Sequence, residues 1–510
     1  MVSEPVPPTL LVRKVPTTTP HTVRRPAAPA KARSDLFWLG AILALAFVLR
    51  LISLNSPLWW DEIATVETHL HMGWGQMVQD YSMNHHYLHN LAAKATMELF
   101  GEKPWAIRLP ALVFGLAAIA AMWVLVRDLA GAVPAHATAL LLALSYHHIW
   151  FSQNARGYTG MALFSTLGFF FFMRGLRTGQ RGYWLAFAAS LAATVFTHLT
   201  GAFFFVALGL AWLGLMAAQA ARGALDRKTV TLPLLGFVIG GVVTILVYMP
   251  LLPSLLHTVS AVSETSAGDV MQEYQNPLWT AYEAIRSGIG ETGPVVALVG
   301  LLVLVLTGAG AWALRKTAPL FAPIVIGHIV LTAALLLAVG MRIWPRFFFT
   351  DLAFLMFLIV MGVRLTCEIL ARLAPKRLGA AFFPLALVAM ALVSSALAVR
   401  NYLSPKQDLA GAYAYVQAHR QNGDRVLTIA PDRDLLAHYF HTDWPTIFGD
   451  GDYRTLMAPP GPVTIIVVFP DRSFRALPSL AADRDAKVLT EVKYFPGTLG
   501  DGGVFILSRR

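Results

Sequence analysis

Apolar residues dominate the chain in long uninterrupted runs rather than in the alternating or heptad patterns of soluble proteins. Runs long enough to span a bilayer, which takes about 20 residues in helical form, fall at 36–54, 105–126, 134–150, 159–173, 183–196, 202–218, 230–248, 294–314, 319–340, 347–370 and 379–403. The pattern predicts eleven transmembrane helices, the fourth and fifth being the shortest. Two connections, 55–104 and 251–293, are far longer than the 2 to 8 residues that usually join packed helices. Within them amphipathic stretches at 61–70, 87–100 and 278–289 predict helices lying along the membrane surface. Beyond 403 the chain becomes an ordinary polar mixture. A helical pattern at 407–420 and apolar strand-like runs at 425–430, 463–469 and 503–508 predict a small α/β domain.

The expected architecture is therefore an all-α polytopic membrane domain, 35–403, followed by a small α/β domain, 404–510, outside the membrane. Residues 1–34, rich in Pro, Thr and Ala with scattered basic residues, lack core-forming periodicity and are expected to be a disordered cytoplasmic tail. The run at 36–54 is too long for a signal-peptide core and lacks a small-residue cleavage site, so it is expected to stay as an anchor.

Composition agrees with lipid as the solvent: 56% of residues are hydrophobic and only 14% charged, with mean hydropathy +0.58. The formal charge of +11 raises the question of nucleic acid, but its distribution answers it. With the amino terminus in the cytoplasm, Lys and Arg in the inside segments outnumber those in the outside loops by roughly three to one, as the positive-inside rule requires. The charge is topogenic, no nucleic-acid partner is needed, and both long loops and the carboxyl-terminal domain fall on the non-cytoplasmic face. A cell-membrane protein with a working surface outside the cytoplasm is the expected localisation. The single cysteine, Cys367, excludes an internal disulfide. Gly308 and Gly310 lie in a span and are read as helix-packing positions.

Polar residues collect on that outer face. Asp61 and Glu62 follow Trp59 and Trp60 shortly after the first span. They read equally as a helix start beside an interfacial aromatic belt and as a general base poised for a hydroxyl. Asn84, His85 and His86 share their loop. His147, His148, Gln153 and Arg156 lie where the third span emerges. Arg342, Arg346 and Asp351 flank the start of the tenth, and Arg50 and Arg108 sit at outer span ends. An arginine at such a position commonly snorkels, but several on one face suit an anionic headgroup, because guanidinium binds phosphate in two-pronged fashion. The histidines permit a divalent metal, yet no HExxH-like ligand spacing supports one, so no cofactor is expected. His69 and His71 read as structural.

These residues, taken in order, resemble the GT-C type integral-membrane glycosyltransferases, in particular bacterial glycosyltransferase family 39 and the related lipopolysaccharide-core galacturonosyltransferase-like group. Trp59-Trp60-Asp61-Glu62 is similar to the family's acidic motif after the first span. Asn84-His85-His86-Tyr87-Leu88 resembles its His-Pro-Pro-Leu-Tyr element, with His86 in place of proline. Phe100-Gly101, Ile107-Arg108-Leu109-Pro110 and Ser152-Gln153-Asn154-Ala155-Arg156-Gly157-Tyr158 match further elements. Pro345-Arg346-Phe347-Phe348 is similar to a later Arg-Tyr-Phe element, with Phe347 for tyrosine.

The resemblance implies transfer of a sugar from a polyprenyl-phosphate carrier to a glycan, lipid or protein hydroxyl, with inversion at the anomeric carbon. It implies Asp61 as base, Glu62 as its support, and Arg108, Arg156 and Arg346, with His85, His86, Gln153 and Tyr158, as substrate-binding residues. No motif specifies the sugar or the acceptor. The competing reading is a transporter or flippase of a lipid-linked or anionic substrate, which would be expected to carry midplane charge and repeated halves.

Overall fold

The computed structural model describes residues 29–82, 84–264, 269–290, 293–421, 423–429 and 434–510. Most of the expected amino-terminal tail lies outside these residues, and 29–34 form the first turns of helix α1 (Pro29–Leu51).

The first long loop folds into α2 (Trp60–Thr65), a π-helical turn (Val66–Leu70), α3 (Trp74–Met77) and α4 (Tyr87–Phe100). The chain then enters α5 (Pro104–Ala130), α6 (Ala132–Leu144), α7 (Tyr146–Ser152), α8 (Tyr158–Thr178), α9 (Arg181–Thr197), α10 (Ala202–Ala220) and α11 (Arg227–Tyr248). The second loop supplies α12 (Leu252–Glu264) and α13 (Pro277–Ile289), with a 3-10 segment (Asp269–Gln275) between them. The bundle closes with α14 (Pro294–Leu314), α15 (Phe321–Ala338), α16 (Phe349–Ala371) and α17 (Lys376–Leu403).

All eleven apolar runs are helical, but among the described residues only nine helices are long and apolar enough to cross a membrane. The third run is the main departure. It breaks at Ser145, whose extended backbone ends α6 and whose hydroxyl accepts a 3.4 Å bond from His148 N to cap α7. Capping by a short polar side chain competes with helix continuation, and here it separates α7 from α6.

The inner packing is aromatic. Phe169 of α8 stacks on Phe321 of α15 at 5.1 Å, and Phe204 of α10 stacks on Phe354 of α16 at 5.5 Å. Helices α14 and α16 approach most closely where Gly310 faces the Leu358 backbone and Gly362 faces that of Leu306, leaving no room for a Cβ on either side. Gly308, by contrast, faces open space, so only one of the two span glycines has a packing role. Outward faces are apolar and exposed, as at Ile245, Leu298, Leu304 and Leu392, which is the pattern of lipid-facing helices.

The carboxyl-terminal domain begins with α18 (Leu409–His419) and carries a five-stranded sheet in the order β2-β1-β3-β5-β4. The strands are β1 (Arg425–Ile429), β2 (Thr446–Ile447), β3 (Val463–Val468), β4 (Thr490–Phe495) and β5 (Val504–Arg509). β1 runs parallel to β2 and β3, whereas β5 is antiparallel to β3 and β4. The expected strands are β1, β3 and β5; the exposed edge strand β4 lacks the apolar run that marks buried strands. The domain packs against α2: Leu409, Tyr413, Val416 and Ile466 share one core with Trp60, Ile63 and Val66. Trp60 also meets Phe469 edge-on at 5.7 Å.

Candidate active site

The acidic pair divides into two different environments. Helix α2 starts at Trp60 with Trp59 as its N-cap, so Asp61 and Glu62 both occupy the first turn, and helical geometry turns their side chains about 100° apart. Glu62 points into the protein and is fully buried. Its Oε1 accepts bonds from Arg108 Nε and from Ala155 N, both at 2.8 Å, and its Oε2 from Arg108 Nη2 at 2.6 Å and Trp59 N at 3.3 Å. Lys406 Nζ lies 3.9 Å from Oε1. Burial by itself would raise the Glu62 pKa, but the charges of Arg108 and Lys406 and the bonds from Arg108 and Ala155 hold it down at about 2.

Arg108 is equally committed. Its remaining donors go to the carbonyls of Leu54, Ser56 and Pro57 at 2.8, 2.7 and 3.1 Å, which fills all five N–H positions of a guanidinium. The expectation that Arg108 binds substrate is therefore revised: it fastens the end of the first span and the approach to α2 to the buried Glu62. Gln153 has a similar structural task. Its side-chain NH2 donates to the carbonyls of Arg50 (2.9 Å) and Ile52, its amide oxygen accepts from Asn401 at 2.7 Å, and its backbone carbonyl accepts from Lys406. It ties α1, α17 and the domain junction together and is not among the residues that line the cavity beside Asp61. Arg50 and His148 bond each other at 2.9 Å, and Asp351 turns from the face into the bundle to meet His328 at 2.8 Å.

Asp61, the other half of the pair, retains 18% exposure and is flanked by two arginines. Arg346 Nη1 donates to its Oδ2 at 3.2 Å, and Arg156 Nη1 lies 3.8 Å from the same oxygen. Both arginines line a cavity of about 600 Å³ with polar and apolar walls. Its polar lining includes Asn84, His85, Arg156, Tyr158, His198 and Arg346, and its apolar lining Leu199, Phe203, Leu335, Leu336 and Val339. Arg156 Nη2 donates to Asn84 Oδ1 at 2.5 Å. The Nε and Nη1 of Arg156, and Arg346 Nε, are buried donors with no hydrogen-bond acceptor among the described residues, and such groups call for a partner. Arg346 is also placed over the Trp344 ring at 4.9 Å.

The histidines form a neutral wall beside these cations. His85 stacks on Tyr87 at 3.8 Å and on His69 at 4.1 Å, and its Nδ1 meets Asn90 Nδ2 at 3.1 Å. Burial, with His69, Arg156 and His89 nearby, lowers its pKa to about 2. His86 lies behind the cavity wall between Tyr158 (4.8 Å) and His198 (4.6 Å), and burial with the charge of Arg156 keeps it neutral as well. His69 is thus a stacking support held by the π-helical turn, an irregularity common beside functional sites. Among the described residues no three His, Cys, Asp or Glu side chains come together to hold a metal ion.

Two contributors escape sequence reasoning. His198 follows the fifth apolar run at a sharp turn, where its only signal is a polar His-Leu-Thr-Gly interruption. Lys406 belongs to the domain junction, about 340 positions from Glu62 along the chain, and nothing local marks it.

Residues 84–250 match the family model described as dolichyl-phosphate-mannose-protein mannosyltransferase, and this segment carries Asn84, His85, Arg156, Tyr158 and His198. No curated protein matches the chain by sequence. Among solved structures, ArnT from Cupriavidus metallidurans in the apo state is 15% identical with a TM-score of 0.55, covering 94% of this chain and 98% of that one. The same protein bound to undecaprenyl phosphate aligns over the same shares at 15% identity and a TM-score of 0.50. The oligosaccharyltransferase AglB from Archaeoglobus fulgidus, in complex with an inhibitory peptide and a dolichol-phosphate, is 11% identical with a TM-score of 0.54, covering 94% of this chain and 74% of that one. The chain therefore has the GT-C type fold of these structures, as its ordered motifs implied, and within it residues 84–250 are similar to the mannosyltransferase family.

Proposed function

We propose that the protein is an inverting glycosyltransferase that moves a sugar from a polyprenyl-phosphate carrier to an acceptor hydroxyl at the non-cytoplasmic face of the cell membrane. The observation that carries this reading is the setting of Asp61. It is the accessible carboxylate of the acidic pair, held by Arg346 and close to Arg156, the two arginines that line a cavity walled by both polar and apolar side chains. A donor with a charged phosphate and a hydrocarbon tail needs both kinds of wall. Two of the similar structures hold such lipid phosphates, and the positive-inside distribution of Lys and Arg supports placing this end of the bundle outside the cytoplasm.

In the reaction the acceptor oxygen attacks the anomeric carbon while its proton passes to Asp61. The bond from that carbon to the phosphate oxygen breaks, and its electron pair leaves with the polyprenyl phosphate. Arg156 and Arg346 meet the charge that develops on the phosphate, a role in which losing one donor costs about 3 kcal/mol, or about a hundredfold in rate. Glu62 and Arg108 act behind the site by fixing α2. The sugar class, hexose or pentose, is set by contacts beyond these residues.

The transport reading has no structural observation in its favour. The test is transfer from a polyprenyl-phosphate sugar by the protein in nanodiscs, comparing wild type with Asp61→Asn and Arg346→Ala. Both variants are expected to lose product. Full activity in Asp61→Asn would remove it as the base, and sugar crossing the bilayer without a covalent product would favour transport.

A further inference from the structure

A second cavity, of about 270 Å³, lies between the 251–293 loop and the carboxyl-terminal domain. Trp279 and Tyr282 of α13 face it as a stacked pair, centroids 5.4 Å apart and planes inclined by 27°, and Trp279 remains 38% exposed. Around this shelf each of the three arginines is paired with a carboxylate, and Asp471 adds one further carboxylate, which disfavours an anionic ligand. Arg286 Nε and Nη2 bond Glu283 at 2.7 and 2.9 Å, Arg472 Nε bonds Asp501 at 3.2 Å, and Arg475 Nη1 bonds Glu273 at 3.1 Å. The site is thus unlike the first cavity, where buried guanidinium donors lack acceptors among the described residues.

Paired guanidiniums have little affinity left for a phosphate. Planar carboxylate–guanidinium pairs still present fixed acceptors and donors at their edges, and these suit vicinal hydroxyls. An aromatic face beside them suits the C–H face of a pyranose ring, since the ring quadrupole attracts the weakly positive C–H edge. A concave pocket with an aromatic floor and a few oriented polar groups is the general form of a small-ligand site.

Its position relates it to the first cavity. Tyr274, which lines the second, stacks at 4.4 Å on Trp344, which lines the first beside Arg346. The backbone is pinned there by Ile343 N to Tyr274 O at 2.7 Å and by Thr280 Oγ1 to Ile343 O at 2.8 Å. One aromatic pair therefore separates the two cavities, on the side where Arg346 holds Asp61. We infer that the second cavity binds an uncharged saccharide, the acceptor end of the reaction, and that the acceptor is a glycan or a glycosylated molecule rather than a bare protein side chain. This inference rests on the glycosyltransferase reading for the word acceptor, though not for the binding of a sugar.

The test is saturation-transfer NMR on the full chain in nanodiscs, with methyl β-D-galactopyranoside, methyl β-D-glucopyranoside and methyl α-D-mannopyranoside as probes. At least one probe is expected to show transfer to its ring C–H protons. That signal should be lost in Trp279→Ala, retained in Trp279→Phe, and unaffected by saturating undecaprenyl phosphate. Absence of transfer to all three probes, persistence in Trp279→Ala, or displacement by undecaprenyl phosphate would each overturn the assignment. Thermal protection by undecaprenyl phosphate, measured on the same variants, shows whether the donor cavity is intact. Its loss in Arg156→Ala with the saccharide signal unchanged separates the fate of the donor reading from that of this one.

Discussion

Replacing Glu62 by glutamine changes one atom and removes one charge, and the structure predicts that it damages the fold more than the chemistry. Each carboxylate oxygen of Glu62 accepts two N–H bonds: Arg108 Nε and Ala155 N on one, Arg108 Nη2 and Trp59 N on the other. Whichever oxygen becomes the amide NH2 confronts two donors, so two bonds are lost and the buried Arg108 charge is left without a counter-ion. Breaking a buried pair from one side costs about 3–5 kcal/mol.

Asp61→Asn is the opposite case. Asp61 keeps 18% exposure and accepts a single 3.2 Å bond from Arg346, itself 32% exposed, an arrangement worth about 0–1 kcal/mol to stability. As the base it is worth about 10²–10⁴ in rate. The assay is thermal unfolding in detergent alongside transfer activity. Glu62→Gln should melt markedly earlier than wild type, with Asp61→Asn unchanged in melting and deficient in turnover. In a double-mutant cycle, Glu62→Gln with Arg108→Met should cost less than the sum of the single changes. A Glu62→Gln protein that melts like wild type and is nonetheless inactive would refute the division of the pair into structural and chemical halves.

Lys406→Met should lower turnover by disturbing α2 while leaving undecaprenyl-phosphate protection in thermal unfolding intact, because Lys406 reaches Glu62 and Gln153 but does not line the donor cavity. Stability should fall on acidification below about pH 6.5. Burial lowers the pKa of His85 to about 2 and of His89 to about 4, so between pH 6.5 and 4 both are neutral in the fold but take up protons when unfolded. Each contributes a loss of up to about 1.4 kcal/mol per pH unit, readable as a falling melting temperature that flattens in His85→Phe. Gly310→Leu should separate α14 from α16 and reduce the yield of folded protein, whereas Gly308→Leu, facing open space, should be tolerated; equal behaviour of the two would contradict the packing.

The membrane domain was legible in the sequence because lipid imposes its demand locally. A span must be apolar along its whole length and satisfy its own backbone, so nearly every helix announced itself, and the polar face could be read from loop length and charge. The break at Ser145 escaped because a serine cap leaves the apolar run around it intact. The candidate site was half legible. Arg156, Arg346, His85 and Tyr158 line one cavity, and Asp61 contacts it through the two arginines. Local pattern could not apportion the arginines, however, since the task of a guanidinium is set by which acceptors surround it. Arg108 is spent on Glu62 and three carbonyls, while Arg156 and Arg346 keep donors in reserve. The same holds for the acidic pair: adjacent in sequence, Asp61 and Glu62 are separated by the turn of a helix into an open wall and a closed core. Tertiary packing alone decided which of them stays accessible, bringing Lys406 from a distant part of the chain to hold the other in place.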